Sequence, residues 1–226
     1  MQQNLFGTNV EVEADTGSLS SRARRLDFAD ADIRLLENWL PEREQLALMT
    51  RLQQELAWEQ PDIMVFGQRN PIPRLNAWYG DPGCHYGYSG HRLPLHDWHP
   101  ALAELRQRLQ AGGLRVNSVL ANWYRDGRDS NGWHSDDESE LGRNPLIVSL
   151  SLGEARSFHL RHKQRLVPNQ QLLLPSGALL IMAGPTQHHW QHAVPKIRRA
   201  CGDRLNLTFR YVIPREGGYS ETCAKC

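Results

Sequence analysis

From Arg204 to Tyr211 polar and apolar residues alternate without a break. Leu205, Leu207, Phe209 and Tyr211 fall on one face, and Arg204, Asn206, Thr208 and Arg210 on the other. A period of two is the signature of a β-strand, so this segment commits the chain to a sheet. On the pattern alone the polar row turns to solvent and the apolar row to the core. In a barrel with a polar interior site the same row turns inward, where two arginines need anionic partners. Periodicity does not choose between these. LIVSLSL (146–152) and ALLIMA (178–183) read as further short strands bounded by Gly, Pro and Asn.

Helical spacing is confined to two upstream stretches. One begins at Pro41, with Leu46, Met49, Leu52 and Leu56 recurring and Pro41 tolerated in a first turn. The other runs from Pro100 to Gln110, with Leu102, Leu105 and Leu109 on one face and Gly112–Gly113 as its stop. Short strands following N-terminal helices predict a mainly β, α+β chain of the jelly-roll (double-stranded β-helix) kind. Residues 1–27 are polar and aperiodic and read as a mobile arm. Residues 28–214 form the domain, and 215–226 a tail.

At 226 residues, 40% hydrophobic and 23% charged, the chain suits one globular domain. A formal net charge of +1 advertises no global attraction to nucleic acid, though a local basic groove needs none. No apolar run is long enough to cross a membrane, and the first residues lack the build of a signal peptide. Cys84, Cys201, Cys223 and Cys226 are too few for a disulfide framework, so a reducing cytoplasm is expected: bacterial, or the nucleus in a eukaryote.

NGWHSDDESE contains His134-x-Asp136, and residues two apart on an extended strand reach the same side. His192, in TQHHWQHAVPK, is a candidate third ligand. Two histidines and one carboxylate form the facial triad of non-haem iron(II) oxygenases. Zinc hydrolases use a similar set, but commonly as H-E-x-x-H on a helix, which is absent here. With 10 histidines and 25 acidic residues, a lone H-x-D arises readily by chance. The order of the surrounding features raises its weight. Arg204 and Arg210 follow His192, and a dicarboxylate chelating iron through its keto-acid end needs a buried cation at its far end. Asn122 and Tyr124 share one strand parity and can bond the same small molecule.

These stretches resemble the AlkB family, in its DNA-repair branch. The likeness covers roughly residues 60 to 212: VFGQ (65–68), PRLNAWYGDPG (73–83), YGYSG (86–90), NSVLANWYRDG (117–127), HSDDE (134–138), SLSLGEARSFHLRHK (149–163), GPTQHHWQHAVPK (184–196) and RLNLTFR (204–210). The resemblance implies iron(II) on His134, Asp136 and His192. It implies 2-oxoglutarate held by Arg204 and Tyr124, with Asn122, Asn206, Thr208 and Arg210 around its iron-binding end. It implies a double-stranded β-helix that turns the polar row of 204–212 inward. The implied reaction consumes O2 and 2-oxoglutarate to hydroxylate an N-methyl group, releasing succinate, carbon dioxide and formaldehyde.

The family pattern also implies a nucleotide-recognition segment at about 60–95, with Tyr86 and Tyr88 lining a pocket for a base taken out of its stack. Bases methylated at N1 of adenine or N3 of cytosine are cationic and suit an aromatic face. Asp137 and Glu138 favour the same charge, or accept from an exocyclic amine; ordinary strand packing and a solvated loop are the plain alternatives. Phe66, with Gly67 and Gln68, matches a turn that wedges into the gap left by a flipped base. Arg161, Lys163 and Arg165, and Lys196, Arg198 and Arg199, are clusters able to follow phosphates, although charge runs are usually solvated faces. Gln2-x-x-Leu5-Phe6 resembles the peptide that docks on sliding clamps, and Cys223-x-x-Cys226 is half a zinc site with no evident second half. A monomer acting on alkylated DNA, duplex or single-stranded, is the leading expectation. RNA or protein as substrate, a non-catalytic damage-binding module, and a zinc hydrolase are the rivals.

Overall fold

The computed structural model describes residues 18–65, 67–85, 87–88 and 91–214. Gln2–Phe6, Phe66, Tyr86 and the Cys223/Cys226 tail lie outside the described residues, as does the side chain of Tyr88. In chain order the elements are α1 (Leu19–Arg22), β1 (Arg24–Leu26), β2 (Asp32–Leu36), α2 (Glu42–Glu55), β3 (Asp62–Val65), β4 (Gln68–Pro71) and β5 (Leu75–Gly80). Then come β6 (Gly87–Tyr88), β7 (His91–Arg92), β8 (Leu95–His96), α3 (Pro100–Ala111), β9 (Ser118–Tyr124) and β10 (Asn131–His134). The C-terminal part holds β11 (Ile147–Gly153), β12 (Arg156–His162), β13 (Gln170–Leu174), β14 (Leu179–Ala183), α4 (Thr186–His189), β15 (Trp190–Val194) and β16 (Arg204–Arg210).

An eight-stranded sheet in the order β1-β2-β14-β11-β16-β9-β5-β8 faces a four-stranded sheet in the order β10-β15-β12-β13, and β3–β4 and β6–β7 form separate hairpins. This is the mainly β, jelly-roll architecture that the strand pattern predicts.

The large sheet is covered on both faces, which decides the orientation of β16. Its register against β9 sets Leu205, Leu207 and Phe209 beside Trp123, Ala121 and Val119. That apolar row packs with Val148, Leu150 and Leu152 of β11 under Met49 and Leu52 of α2 and Leu102, Leu105 and Leu109 of α3. Each large apolar side chain buried this way stabilises the fold by ~1.5–3 kcal/mol. The opposite row, Arg204, Asn206, Thr208 and Arg210, is buried as well, between the two sheets. The solvent-facing alternative for these residues is therefore overturned.

Two local expectations change. Leu46 is 76% exposed although it continues the apolar series of α2. At 100° per residue it is rotated about 120° from Leu52, off the packed face. Residues 18–27 are not an arm. Leu19 packs beneath Gly112, and β1 pairs antiparallel with β2, burying Leu26. α3 ends as its sequence dictates: Pro100 opens it, His99 Nδ1 accepts from the Ala101 N–H, and Gly113 turns out at φ 84°.

Candidate active site and metal centre

Between the sheets lies a cavity of about 570 Å³ whose wall includes His134, Asp136, His192, Asn122, Tyr124 and Arg210. Its histidines come from the small sheet. β10 and β15 pair antiparallel with His134 opposite His192, after an irregularity that shifts the register between Asn131 and His134. The two rings meet edge to face at 4.2 Å, and Phe158 of β12 stacks on His192 at 5.1 Å. Asp136 is not on the strand with His134: β10 ends at His134, and Asp136 stands in the following loop. Its N–H donates to Gln187 Oε1 of α4 (2.9 Å), which turns the carboxylate back towards the histidines. The ligand-capable atoms of His134, Asp136 and His192 all lie within 4.8 Å of one another.

Neighbouring groups prepare this cluster for a cation. His134 Nδ1 lies 2.8 Å from the Gly132 carbonyl, which only accepts, so Nδ1 carries a proton and Nε2 is the nitrogen left for a cation. Burial, reinforced by His134 beside it, lowers the pKa of His192 to about 3, so its imidazole is neutral at physiological pH. Burial alone would raise the pKa of Asp136, but the Arg210 charge, with His192 and His134, outweighs it and lowers the pKa to about 2. Arg210 Nη2 donates to Asp136 Oδ1 at 2.7 Å, while Oδ2 stands 3.9 Å from His192 Nε2. Arg210 thus holds one oxygen and leaves the other facing the cluster.

Deeper in, the polar row of β16 meets that of β9: Arg204 pairs with Tyr124 and Asn206 with Asn122. Asn206 Nδ2 donates to Ser149 Oγ, Thr208 Oγ1 donates to Asn206 Oδ1, and Asn122 Oδ1 accepts from Arg74 Nε. Arg204 differs from its neighbours. It is 1% exposed, its Nη2 donates to Ser151 Oγ, and its Nε and Nη1 are buried with no well-formed hydrogen bond among the described residues, Tyr124 being a polar group beside the guanidinium. Burial lowers its pKa, opposed by Tyr124, over whose ring it stands at 5.3 Å. A buried guanidinium with two unused donors demands an anion.

Glu138 lines the cavity wall, whereas Asp137 is absent from it and pairs with Lys163 at 3.0 Å. Arg161 donates to Gln191 and lies over the Trp133 ring at 4.4 Å, with Trp133 itself on the cavity wall. Gly67 (φ 77°) is in the β3–β4 turn and Gln68 opens β4, both exposed. Lys196 and Arg198 are exposed, while Arg199 pairs with Glu154. Sequence reasoning missed Arg74, Trp133, Ser149, Ser151, Gln187 and Arg156. Ser149 and Ser151 share one parity on a predicted strand, a readable signal. Arg156, which clamps the carbonyls of Asp126, Asp129 and Pro195, stands in the SLSLGEARSF stretch of the family resemblance, but its spacing does not announce that role.

Two facing sheets with a two-histidine, one-carboxylate cluster between them define a class, the non-haem iron oxygenases. A family model described as the 2OG-Fe(II) oxygenase superfamily matches residues 32–210. Human "Alpha-ketoglutarate-dependent dioxygenase alkB homolog 3" is 42% identical over 181 residues, 76% of this chain and 63% of the human protein. Mouse "DNA oxidative demethylase ALKBH2" is 41% identical over 160 residues, 67% of each chain. Its Arabidopsis thaliana namesake is 32% identical over 232 residues, 90% of this chain and 74% of that one. The chain thus spans just under two thirds of the human relative's length. The solved structure of OsALKBH1 shares the fold, with a TM-score of 0.60 at 19% identity, over 82% of this chain and 99% of that one. The chain belongs to the 2OG-Fe(II) oxygenase superfamily, among its AlkB homologues. Its residues fit both groups that the family name carries: a cation between His134, Asp136 and His192, and a carboxylate against Arg204.

Proposed function

We propose that this chain is an iron(II)- and 2-oxoglutarate-dependent oxidative demethylase of N-alkylated bases in DNA, with 1-methyladenine and 3-methylcytosine as substrates. The observation that carries the reading is one cavity lined by His134, Asp136, His192 and Tyr124, with the buried guanidinium of Arg204 over the Tyr124 ring at 5.3 Å. Similarity to proteins named DNA oxidative demethylase supports the substrate class.

In this reading His134, Asp136 and His192 hold the iron, and Arg204 with Tyr124 takes the far carboxylate of 2-oxoglutarate. Asn122, Asn206 and Thr208 offer polar atoms to its other end. When bound, iron and 2-oxoglutarate supply oxidising power from O2, turning the N-methyl group into N-hydroxymethyl while succinate and carbon dioxide leave. The hydroxymethyl group then leaves as formaldehyde with loss of its hydroxyl proton, returning the lone pair to the ring nitrogen without cutting the strand. The residues do the positioning. Arg210 fixes the Asp136 carboxylate, and Leu120, Phe158, Met182 and Val194 give the cavity a dry side. Glu138 favours a cationic base, Tyr86 and Tyr88 are assigned to the base pocket by the family pattern with Tyr88 as the stacking platform, and Arg161 with its basic neighbours follows the phosphates. We further propose a cytoplasmic monomer that meets a sliding clamp through Gln2–Phe6.

The test is formaldehyde release from an oligonucleotide carrying 1-methyladenine, with iron(II), 2-oxoglutarate and ascorbate. Release that disappears in His134→Ala or without 2-oxoglutarate is expected. Succinate without formaldehyde from any methylated DNA would move the substrate to RNA or protein. Neither product, with iron bound, would leave a damage-binding module.

A further inference from the structure

A second cluster with the same donor set lies apart from the cavity. Asp30, His162 and His189 offer a carboxylate and two imidazoles whose ligand-capable atoms all lie within 4.8 Å of one another. Asp30 comes from the strap between β1 and β2, His162 ends β12 and His189 ends α4. None of them lines the cavity between the sheets.

Three features mark the cluster as more than surface residues in proximity. His162 is fully buried, edge-on to Trp190 at 5.3 Å and stacked with His189 at 5.8 Å. Its Nε2 is buried without a hydrogen-bond partner among the described residues, and Asp30 Oδ2 stands 3.4 Å away. Asp30 adopts φ 55°, a left-handed conformation uncommon outside glycine. The strap bearing it is fixed: Trp190 Nε1 donates to the Ala29 carbonyl at 2.8 Å, and Phe28 packs on the Trp190 ring. A buried nitrogen without a partner, a half-exposed carboxylate and a second imidazole thus converge where solvent can complete a coordination shell.

We propose that Asp30, His162 and His189 form a second metal site, for a divalent transition-metal ion of the zinc class. The ion clips the strap to β12 and α4. Ligation through His162 Nε2 puts the proton on Nδ1 and breaks the 3.3 Å bond it accepts from the Gln164 N–H. The site is accordingly weaker than a four-ligand structural zinc centre. It is wired to the first cluster. His189 O accepts from the Lys163 N–H, Lys163 Nζ donates to Gln187 O, and Gln187 Oε1 holds the Asp136 N–H. A metal here stiffens the short helix that orients Asp136.

The experiment is Co2+ titration of the full chain carrying Cys223→Ser and Cys226→Ser, which removes the tail thiols as competing ligands. Two equivalents are expected from equilibrium dialysis and from the visible Co2+ absorption. His134→Ala abolishes one. Asp30→Asn, which keeps the side-chain shape and tolerates positive φ, weakens the other by at least roughly 100-fold, more than the loss of an outer-shell partner typically costs. His189→Ala does the same. In His134→Ala, Zn2+ raises the melting temperature, and adding Asp30→Asn removes the rise. A single equivalent that disappears in His134→Ala, or a second indifferent to both Asp30→Asn and His189→Ala, would overturn the proposal. Neither outcome bears on the demethylase reading.

Discussion

Replacing Arg204 with methionine separates a binding role from a structural one, because the two roles predict opposite responses. Arg204 is buried, with Nη2 on Ser151 and with Nε and Nη1 lacking a well-formed hydrogen bond among the described residues. If those two donors await a carboxylate, the substitution removes two charge-assisted hydrogen bonds, each contributing ~1.5–3 kcal/mol. The combined ~3–6 kcal/mol corresponds to a ~10²–10⁴-fold loss of 2-oxoglutarate affinity. Fold stability should move the other way. Methionine fills comparable apolar volume and removes a desolvated charge at the expense of one bond to Ser151, a change that is often neutral or stabilising. Arg204→Lys, a point charge without the guanidinium fork, should fall between. The assay is calorimetric titration of 2-oxoglutarate into the Mn2+-loaded protein without oxygen, paired with thermal unfolding of the metal-free protein. Unchanged affinity together with a lowered melting temperature would refute the reasoning and make Arg204 a structural residue.

Three further outcomes are expected. His192 has its pKa lowered from 6.5 to about 3, so the unfolded chain binds the extra proton between those values. Stability of the metal-free protein therefore falls as pH drops from 6.5 towards 3, and Asp136, lowered from 3.8 to about 2, adds to the loss below that. Urea midpoints across this range, with chelator, check it, and a flat profile would contradict the buried neutral imidazole. Phe66→Ala should depress demethylation of duplex far more than of single-stranded substrate, and equal loss on both would remove the wedge. Gly153→Ala should cost ~2–5 kcal/mol in urea unfolding, because its φ is 82° and a Cβ would strike Asp203 O and Met49. A near-wild-type midpoint would show that this loop yields.

How much of this was legible depended on whether a pattern has one physical cause. The alternation of 204–210 announced a strand, but not which row faced solvent, because neither does: α2 and α3 cover one face and the small sheet the other. Composition along one strand cannot report what covers it from elsewhere. Leu46 joined the apolar series of α2 in sequence but falls off its packed face by rotation. Residues 18–26 looked like an arm because their partners, Gly112 and β2, are remote in sequence or too short to carry a period. Of the three histidines from Thr186 to His192, His188 bonds Asn144, His189 faces His162, and His192 stands opposite His134. That sorting is a matter of strand register, which spacing alone does not contain. The resemblance of HSDDE and RLNLTFR to a family supplied what periodicity left open.

The most direct test of the demethylase reading is mass spectrometry of a 1-methyladenine oligonucleotide after incubation with the purified chain, iron(II), 2-oxoglutarate and oxygen, with succinate counted in parallel. The account predicts conversion to unmodified adenine in an intact strand, one succinate per methyl group removed, and no conversion by His192→Ala. A strand that stays methylated while succinate accumulates, or conversion that persists without 2-oxoglutarate, would contradict it.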